Sequence, residues 1–239
     1  MGRVDQDERP IHKKNQRFKV RPAIIIFAKS PEPGKVKTRL AQTIGFERAV
    51  SLYLAMVRDT AKAARKSGAS VLWRVDGEPG ALKEIIGNDK VKSQCGGDLG
   101  ARLSVAFEEA FSRGLCPVAA VGTDCPSLGE IHLRDLLEKS AGFDAAFIPS
   151  PDGGYSAIAL RAPLPAVFGA IPWSSPDTLK VSIKRITCAG KSHCLLDPLE
   201  DIDDIESLRR FSKSLSGKNR SGASETGRIL LSPEFAFLT

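Results

Sequence analysis

Ala23-Ile-Ile-Ile-Phe-Ala-Lys-Ser-Pro-Glu-Pro-Gly-Lys-Val-Lys-Thr-Arg-Leu40 begins as a continuous apolar run and ends as a loop crowded with cations. A strand without polar alternation has no face to offer water, so Ala23 to Phe27 predicts a sheet covered on both sides. The run stops at Ser30-Pro-Glu-Pro-Gly34, where prolines and a glycine force a loop. From about Phe46 to Ser67, Ala49, Val50, Tyr53, Met56, Val57 and Thr60 recur at intervals of three and four, and Gly68 is placed as a C-terminal stop. A strand from about Ser70 to Val75 completes a β-loop-α-β unit.

Downstream the alternation continues. Val91 to Gln94 is a weak strand, Leu99 to Phe111 a helix, and Pro117 to Val121 a second buried strand that ends in Gly122-Thr-Asp-Cys-Pro-Ser127. A helix from Ile131 to Leu137 and a strand from Ala145 to Ile148 follow. Pro151-Asp-Gly-Gly154 then turns into the apolar run Tyr155 to Leu160. The last elements are a helix near Asp177 to Arg185, a strand near His193 to Leu196, and a helix from Asp203 or Asp204 to Phe211. Strands alternating with helices predict an α/β fold with a mostly parallel sheet, and the Asp-Gly turn adds an antiparallel excursion. Ligands of such sheets bind at the carboxyl ends of strands, which makes the loops after Phe27 and Val121 and the turn before Tyr155 converge.

Those loops carry the candidate chemistry. Between Ala28 and Arg39 stand Lys29, Lys35, Lys37 and Arg39, with Gly34 permitting close backbone approach. Four cations ahead of a helix suit a phosphate group, although neither the Walker nor the dinucleotide glycine spacing is present. Asp124 ends a buried strand; Ser127 is the better placed cap for the next helix, which leaves Asp124 free to hold Mg²⁺ or Mn²⁺ against a diphosphate. Gly153 and Gly154 are either a plain hairpin turn or a surface on which substrate lies, with Asp152 and Tyr155 as polar walls. Asp152 is also the best available general base. In the acidic run before the last helix, Asp201 and Asp203 are candidate second metal ligands, Asp203 being the one assigned. In Gln94-Cys-Gly-Gly-Asp-Leu-Gly-Ala-Arg102, Asp98 is a helix cap or a contact to base or ribose, with Arg102 beside it. Trp173 is a buried residue or packs on substrate.

Composition removes other classes. The 239 residues are 42% hydrophobic and 26% charged, with no apolar run near the roughly 20 residues that span a bilayer. Met1 to Arg21 lacks a signal-peptide core, so a cytoplasmic protein without a membrane partner is expected. The formal net charge of +7 sits in the ends: residues 1–21 hold seven Lys/Arg against three Asp/Glu, and residues 212–239 four against two. Residues 22–211 are close to neutral. The expected organisation is a mobile basic tail (1–21), one domain (22–211) and a flexible C-terminal tail (212–239). Without interleaved aromatics the tails do not read as nucleic-acid arms. Five cysteines without a Cys-x-x-Cys pair predict reduced thiols, and Cys188, His193 and Cys194 do not complete a zinc site.

FAKSPEPGKVKTRL, GGDLGAR, GTDCP, DGGY, PWSS and DIDDIESL, in this order, resemble the glycosyltransferase-like family of radical-SAM/selenodomain-associated transferases, in the nucleotide-diphospho-sugar transferase superfamily. The resemblance spans about residues 22 to 211. It implies a GT-A type three-layer α/β/α sandwich, a nucleotide over the first loop and a divalent metal near Asp124. Where relatives read D-[IV]-D-T-P-E-D, this chain has Asp201-Ile-Asp-Asp-Ile-Glu206, without the Thr-Pro step. The leading expectation is metal-dependent glycosyl transfer from a nucleoside-diphosphate sugar. The alternatives are nucleotidyl transfer, in which a nucleoside triphosphate loses pyrophosphate to a phosphorylated acceptor, and a non-catalytic nucleotide-binding protein.

Overall fold

The computed structural model describes residues 21–215 and 224–238, so the expectations for residues 1–20, 216–223 and 239 lie outside it. Strands β1 (Ala23–Lys29), β2 (Ser70–Asp76), β3 (Lys90–Ser93), β4 (Val118–Val121), β5 (Ala145–Pro149), β6 (Tyr155–Leu160) and β7 (His193–Leu195) form one sheet in the order β3-β2-β1-β4-β6-β5-β7. All neighbours are parallel except β6, which runs antiparallel to both β4 and β5. The α/β class, the mostly parallel sheet and the antiparallel excursion are as the sequence predicts.

Alternation along β1 divides the core in two. Ile24 and Ile26 point to a layer formed by α2 (Phe46–Lys66) and α5 (Glu130–Gly142), where they join Leu52, Met56, Leu133 and Leu136. Ala23 and Ile25 point the other way, to α4 (Leu99–Ser112) and α6 (Thr178–Cys188), and join Leu103, Phe107 and Ile186. Residues Ala23 to Ile26 are all 0% exposed, which is why the run needs no polar face. Among the described residues no helix is long and apolar enough to cross a membrane.

Strand order positions the site. From β1 the sheet grows one way to β2 and β3 and the other way to β4, so the connections leave β1 and β4 in opposite directions. That reversal opens a crevice at their carboxyl ends.

Several elements differ from expectation. Part of the cationic loop is helical: α1 (Thr38–Ile44) starts after Lys37, whose φ of 47° is left-handed, and Gly45 at φ 86° separates it from α2. A 3-10 turn (Pro79–Leu82) and α3 (Lys83–Ile86) are too short to show a periodicity. The N-cap of α5 is Gly129, not Ser127, and the Gly129 N–H donates to His132 Nδ1 at 3.1 Å. Before α7 (Ile205–Ser214), Asp204 takes the cap that the missing Thr would supply: its Oδ1 accepts the Ser207 N–H at 2.8 Å. Within the expected C-terminal tail, α8 (Glu225–Leu230) folds onto α2, with Leu230 and Phe235 buried. Its first N–H groups are held by a side chain far away in sequence, as Asp59 accepts from Glu225 and Thr226 at 2.8 Å each.

Candidate active site

A cavity of about 820 Å³ lies at the crevice, and most of the residues singled out above meet in it. Ala28, Lys29, Lys35, Lys37 and Arg39 form one wall, Asp124, Asp201 and Asp203 a second, and Arg102, Asp152 and Tyr155 also reach it.

The four cations are not equivalent. Lys35 pairs with Glu32 at 2.7 Å on the surface. Lys37, bent inward by its left-handed backbone, has a side chain only 4% exposed and sets its ammonium between Asp124 Oδ1 at 2.6 Å and Asp203 Oδ1 at 3.2 Å. It also donates to the Ile202 carbonyl. Burial alone pulls the Lys37 pKa down, but the two carboxylates outweigh it and hold the group above its ordinary value, so it stays charged. Lys29 and Arg39 are exposed to the cavity and make no ion pair among the described residues.

The carboxylate wall is built by two remote segments. The Ile202 N–H donates to the Asp124 carbonyl at 2.8 Å, which locks the acidic run to the end of β4. Asp124 and Asp203 leave about half of each side chain open, at 46% and 54% exposure. Asp201 is deeper and accepts from Ser156 Oγ at 2.9 Å. Burial first, then repulsion from Asp124, raises its carboxyl to about 7. Among the described residues no group of three or more His, Cys, Asp or Glu is arranged to hold a metal by itself. Two half-open carboxylates are, however, the hard-oxygen donor set that suits Mg²⁺ or Mn²⁺ when a substrate's phosphates complete the shell. The neighbouring Cys125 is buried and its thiol is pushed up to about 12, chiefly by that burial, so it is no nucleophile.

Five sequence candidates do not line the cavity. Gly34, at φ 81°, makes the turn ahead of Lys35. Asp98 is the cap of α4, accepting the Ala101 N–H at 2.9 Å. Gly153, at φ +88°, is covered by the chain itself: a Cβ there would lie 2.1 Å from the Pro176 carbonyl oxygen, so protein and not substrate occupies that face. The Gly154 N–H donates to Asp152 Oδ1 at 2.9 Å and tightens the hairpin. Trp173 is a wedge below the wall, edge-on to Tyr155 at 6.4 Å and close against Gly100. The residues it supports, Ser174, Ser175 and Pro176, line the cavity instead, with Ser174 in a left-handed conformation at φ 58°.

Two lining residues carry no signal in the sequence. Gln94 fills the gap beside β1, its Nε2 donating to the Ala28 and Arg74 carbonyls and its Oε1 accepting from Arg102 at 2.9 Å. Tyr53, which reads only as part of a helical stripe, reaches the end of β1.

Sheet order and cavity together put the chain in the nucleotide-diphospho-sugar transferase type of α/β fold. It belongs to the bacterial family DUF2064, described as an uncharacterized protein conserved in bacteria, whose model matches residues 47–175. A crystal structure from Desulfovibrio desulfuricans G20, provisionally described as a nucleotide-diphospho-sugar transferase, superposes with a TM-score of 0.83 at 28% identity over 88% of this chain and 94% of that one. The 4-diphosphocytidyl-2C-methyl-D-erythritol synthase of Anaerococcus prevotii shares the fold alone, at a TM-score of 0.56 and 9% identity over 82% of this chain and 99% of that one. In sequence, the phosphoenolpyruvate guanylyltransferase of Streptomyces avermitilis is 35% identical over 119 residues, 48% of this chain and 55% of that protein. The chain thus spans about half the length of the curated relative it matches. All three relatives bear the names of transferases or synthases.

Proposed function

We propose that this protein is a transferase acting on a nucleotide-activated donor, and specifically a nucleotidyltransferase that joins a nucleoside triphosphate to a phosphorylated acceptor. One observation carries the reading: Lys29 and Arg39, whose side chains make no ion pair among the described residues, line the same cavity as the half-open Asp124 and Asp203 carboxylates at the sheet's switch point. A polyphosphate is the ligand that needs both walls. Arg39 grips phosphate oxygens in a fork and Lys29 adds a point charge. Asp124 and Asp203 are the residues that would hold a divalent ion, which would supply positive charge to the donor's phosphates. Lys37 stays between the two carboxylates' segments and keeps them from repelling one another. The acceptor phosphate attacks the α-phosphorus, the α–β anhydride bond breaks, and pyrophosphate leaves with the bonding pair. Positioning and electrostatics supply the catalysis, as is usual for phosphoryl chemistry. A phosphate nucleophile needs no general base, so Asp152, tied to Gly154, serves the acceptor wall with Ser175.

The guanylyltransferase relative favours this order of readings. Glycosyl transfer stays as the second, supported by the description of the D. desulfuricans protein and by the same need for a cradled diphosphate. The test is product analysis with Mn²⁺. Pyrophosphate release from GTP that depends on phosphoenolpyruvate supports nucleotidyl transfer. Release of GDP from a GDP-sugar, with no pyrophosphate from GTP, supports the second reading in its place.

A further inference from the structure

β1 outlasts one of its neighbours. β4 accompanies it only from Ala23↔Val118 to Ile26↔Val121, whereas β2 runs beside it as far as Lys29↔Asp76. In a strand the N–H and C=O of one residue point to the same side, and successive residues alternate. Ser30 turns toward β2, its N–H donating to the Asp76 carbonyl at 2.8 Å. Lys29 therefore turns the other way, toward β4, where the strand has already ended. Two main-chain groups at the mouth of the crevice are left without a ladder, a position the backbone does not tolerate in a buried setting.

Tyr53 of α2 supplies both missing partners. Its hydroxyl accepts the Lys29 N–H at 2.7 Å and donates to the Lys29 carbonyl at 3.0 Å. No other group of that length does both: phenylalanine offers neither, and a carboxylate only accepts. The side chain is 3% exposed, and burial is the main reason that its hydroxyl is pushed up to about 12, so it keeps its proton and remains a donor. Thr123, next in sequence to Asp124, lines the same cavity as Tyr53. One phenol thus ties the strand end that bears Lys29 to α2.

We infer that Tyr53 is a positioning residue: by replacing the absent strand for Lys29 it fixes the point from which the Lys29 ammonium reaches the ligand's phosphates. This rests on the proposed reading of the cavity as a polyphosphate site. In this role Tyr53 acts through Lys29, so the two residues form one functional unit and their substitutions are not additive.

The experiment is a double-mutant cycle on the full-length chain, with GTP titrated calorimetrically in the presence of Mn²⁺ and each ligand-free variant melted in parallel. Tyr53→Phe and Lys29→Ala are each expected to weaken GTP by about tenfold, and the double variant to bind within about twofold of Lys29→Ala alone. Wild-type affinity in Tyr53→Phe with a lowered melting temperature identifies a purely structural hydroxyl and overturns the role. Full additivity, a loss of about a hundredfold in the double variant, overturns it as well. A wild-type protein that binds no GTP fails differently, removing the reading of the cavity and this role together.

Discussion

Lys37 shows how little a side chain's type says about its task. It stands in the same loop as Lys29, Lys35 and Arg39, yet it alone is turned inward, and its partner Asp203 lies 166 residues away. The sequence displays four cations before a helix; that Lys37 is the one neutralised inside the cavity depends on a contact that no local pattern encodes. Lys37→Met keeps the apolar stem and removes the charge, leaving Asp124 and Asp203 facing each other. Breaking a fully buried pair costs about 3–5 kcal/mol, and the half-open carboxylates here reduce that to about 1–3 kcal/mol. The ligand-free variant should therefore melt lower than wild type, and Mn²⁺ should raise its melting temperature more than it raises that of wild type, because the ion replaces the lost ammonium. An unchanged melting temperature with no added response to Mn²⁺ contradicts the assignment. Tyr53 belongs to the same scale. Its place in a regular apolar stripe conceals a hydroxyl that the strand end requires.

Elements were legible where their pattern is long. β1 and α2 follow directly from an unbroken apolar run and a three-to-four spacing, and both are found where that reading puts them. Short elements and remote caps were not. α1 is a seven-residue helix inside a stretch dominated by charge, and α8 has a Ser- and Gly-rich approach that resembles a linker. What orders α8 is tertiary: apolar Leu230 and Phe235 against α2, and the Asp59 carboxylate on its first two N–H groups. Asp59→Ala leaves those donors with only the Ser224 hydroxyl nearby, which accepts from Gly227 at 3.1 Å. A loss of about 1–2 kcal/mol is expected, the usual worth of a cap and of an orphaned buried donor. Hydrogen exchange should then speed up in residues 225–238 while exchange in β1 stays slow. Equal protection of the C-terminal segment in both proteins contradicts the clamp. The missing Thr-Pro step before α7 is a contrary case. The departure looks disruptive in sequence, but Asp204 caps as well as Thr does, and Asp203 keeps its place beside Lys37.

At the scale of the molecule, the order of the strands makes the site. Reversal of direction at β1 and β4 brings the loop after Lys29 and the turn at Asp124 to the two lips of one crevice, and the acidic run closes it through Ile202. That convergence is readable from a buried strand, a rule about strand ends and two charged loops. The opposite end of the cavity is not: Gly153 and Gly154 look like a substrate surface, yet Gly153 is covered by Pro176, and Ser174 to Pro176, supported by Trp173, line the cavity. Packing between two loops decides this, and neither loop announces its partner. The central claim is that the cationic loop and the Asp124 carboxylate hold one polyphosphate from opposite sides, with a divalent ion on the carboxylate side. Thermal melting with GTP, in the presence and absence of Mn²⁺, tests it most directly, since a ligand bound only by the folded state raises the apparent stability. The account predicts a shift in the wild type that Mn²⁺ enlarges, loss of that Mn²⁺-dependent increment in Asp124→Asn, and a smaller shift in Arg39→Ala under both conditions. Shifts equal in all three proteins, or no shift in the wild type, contradict it.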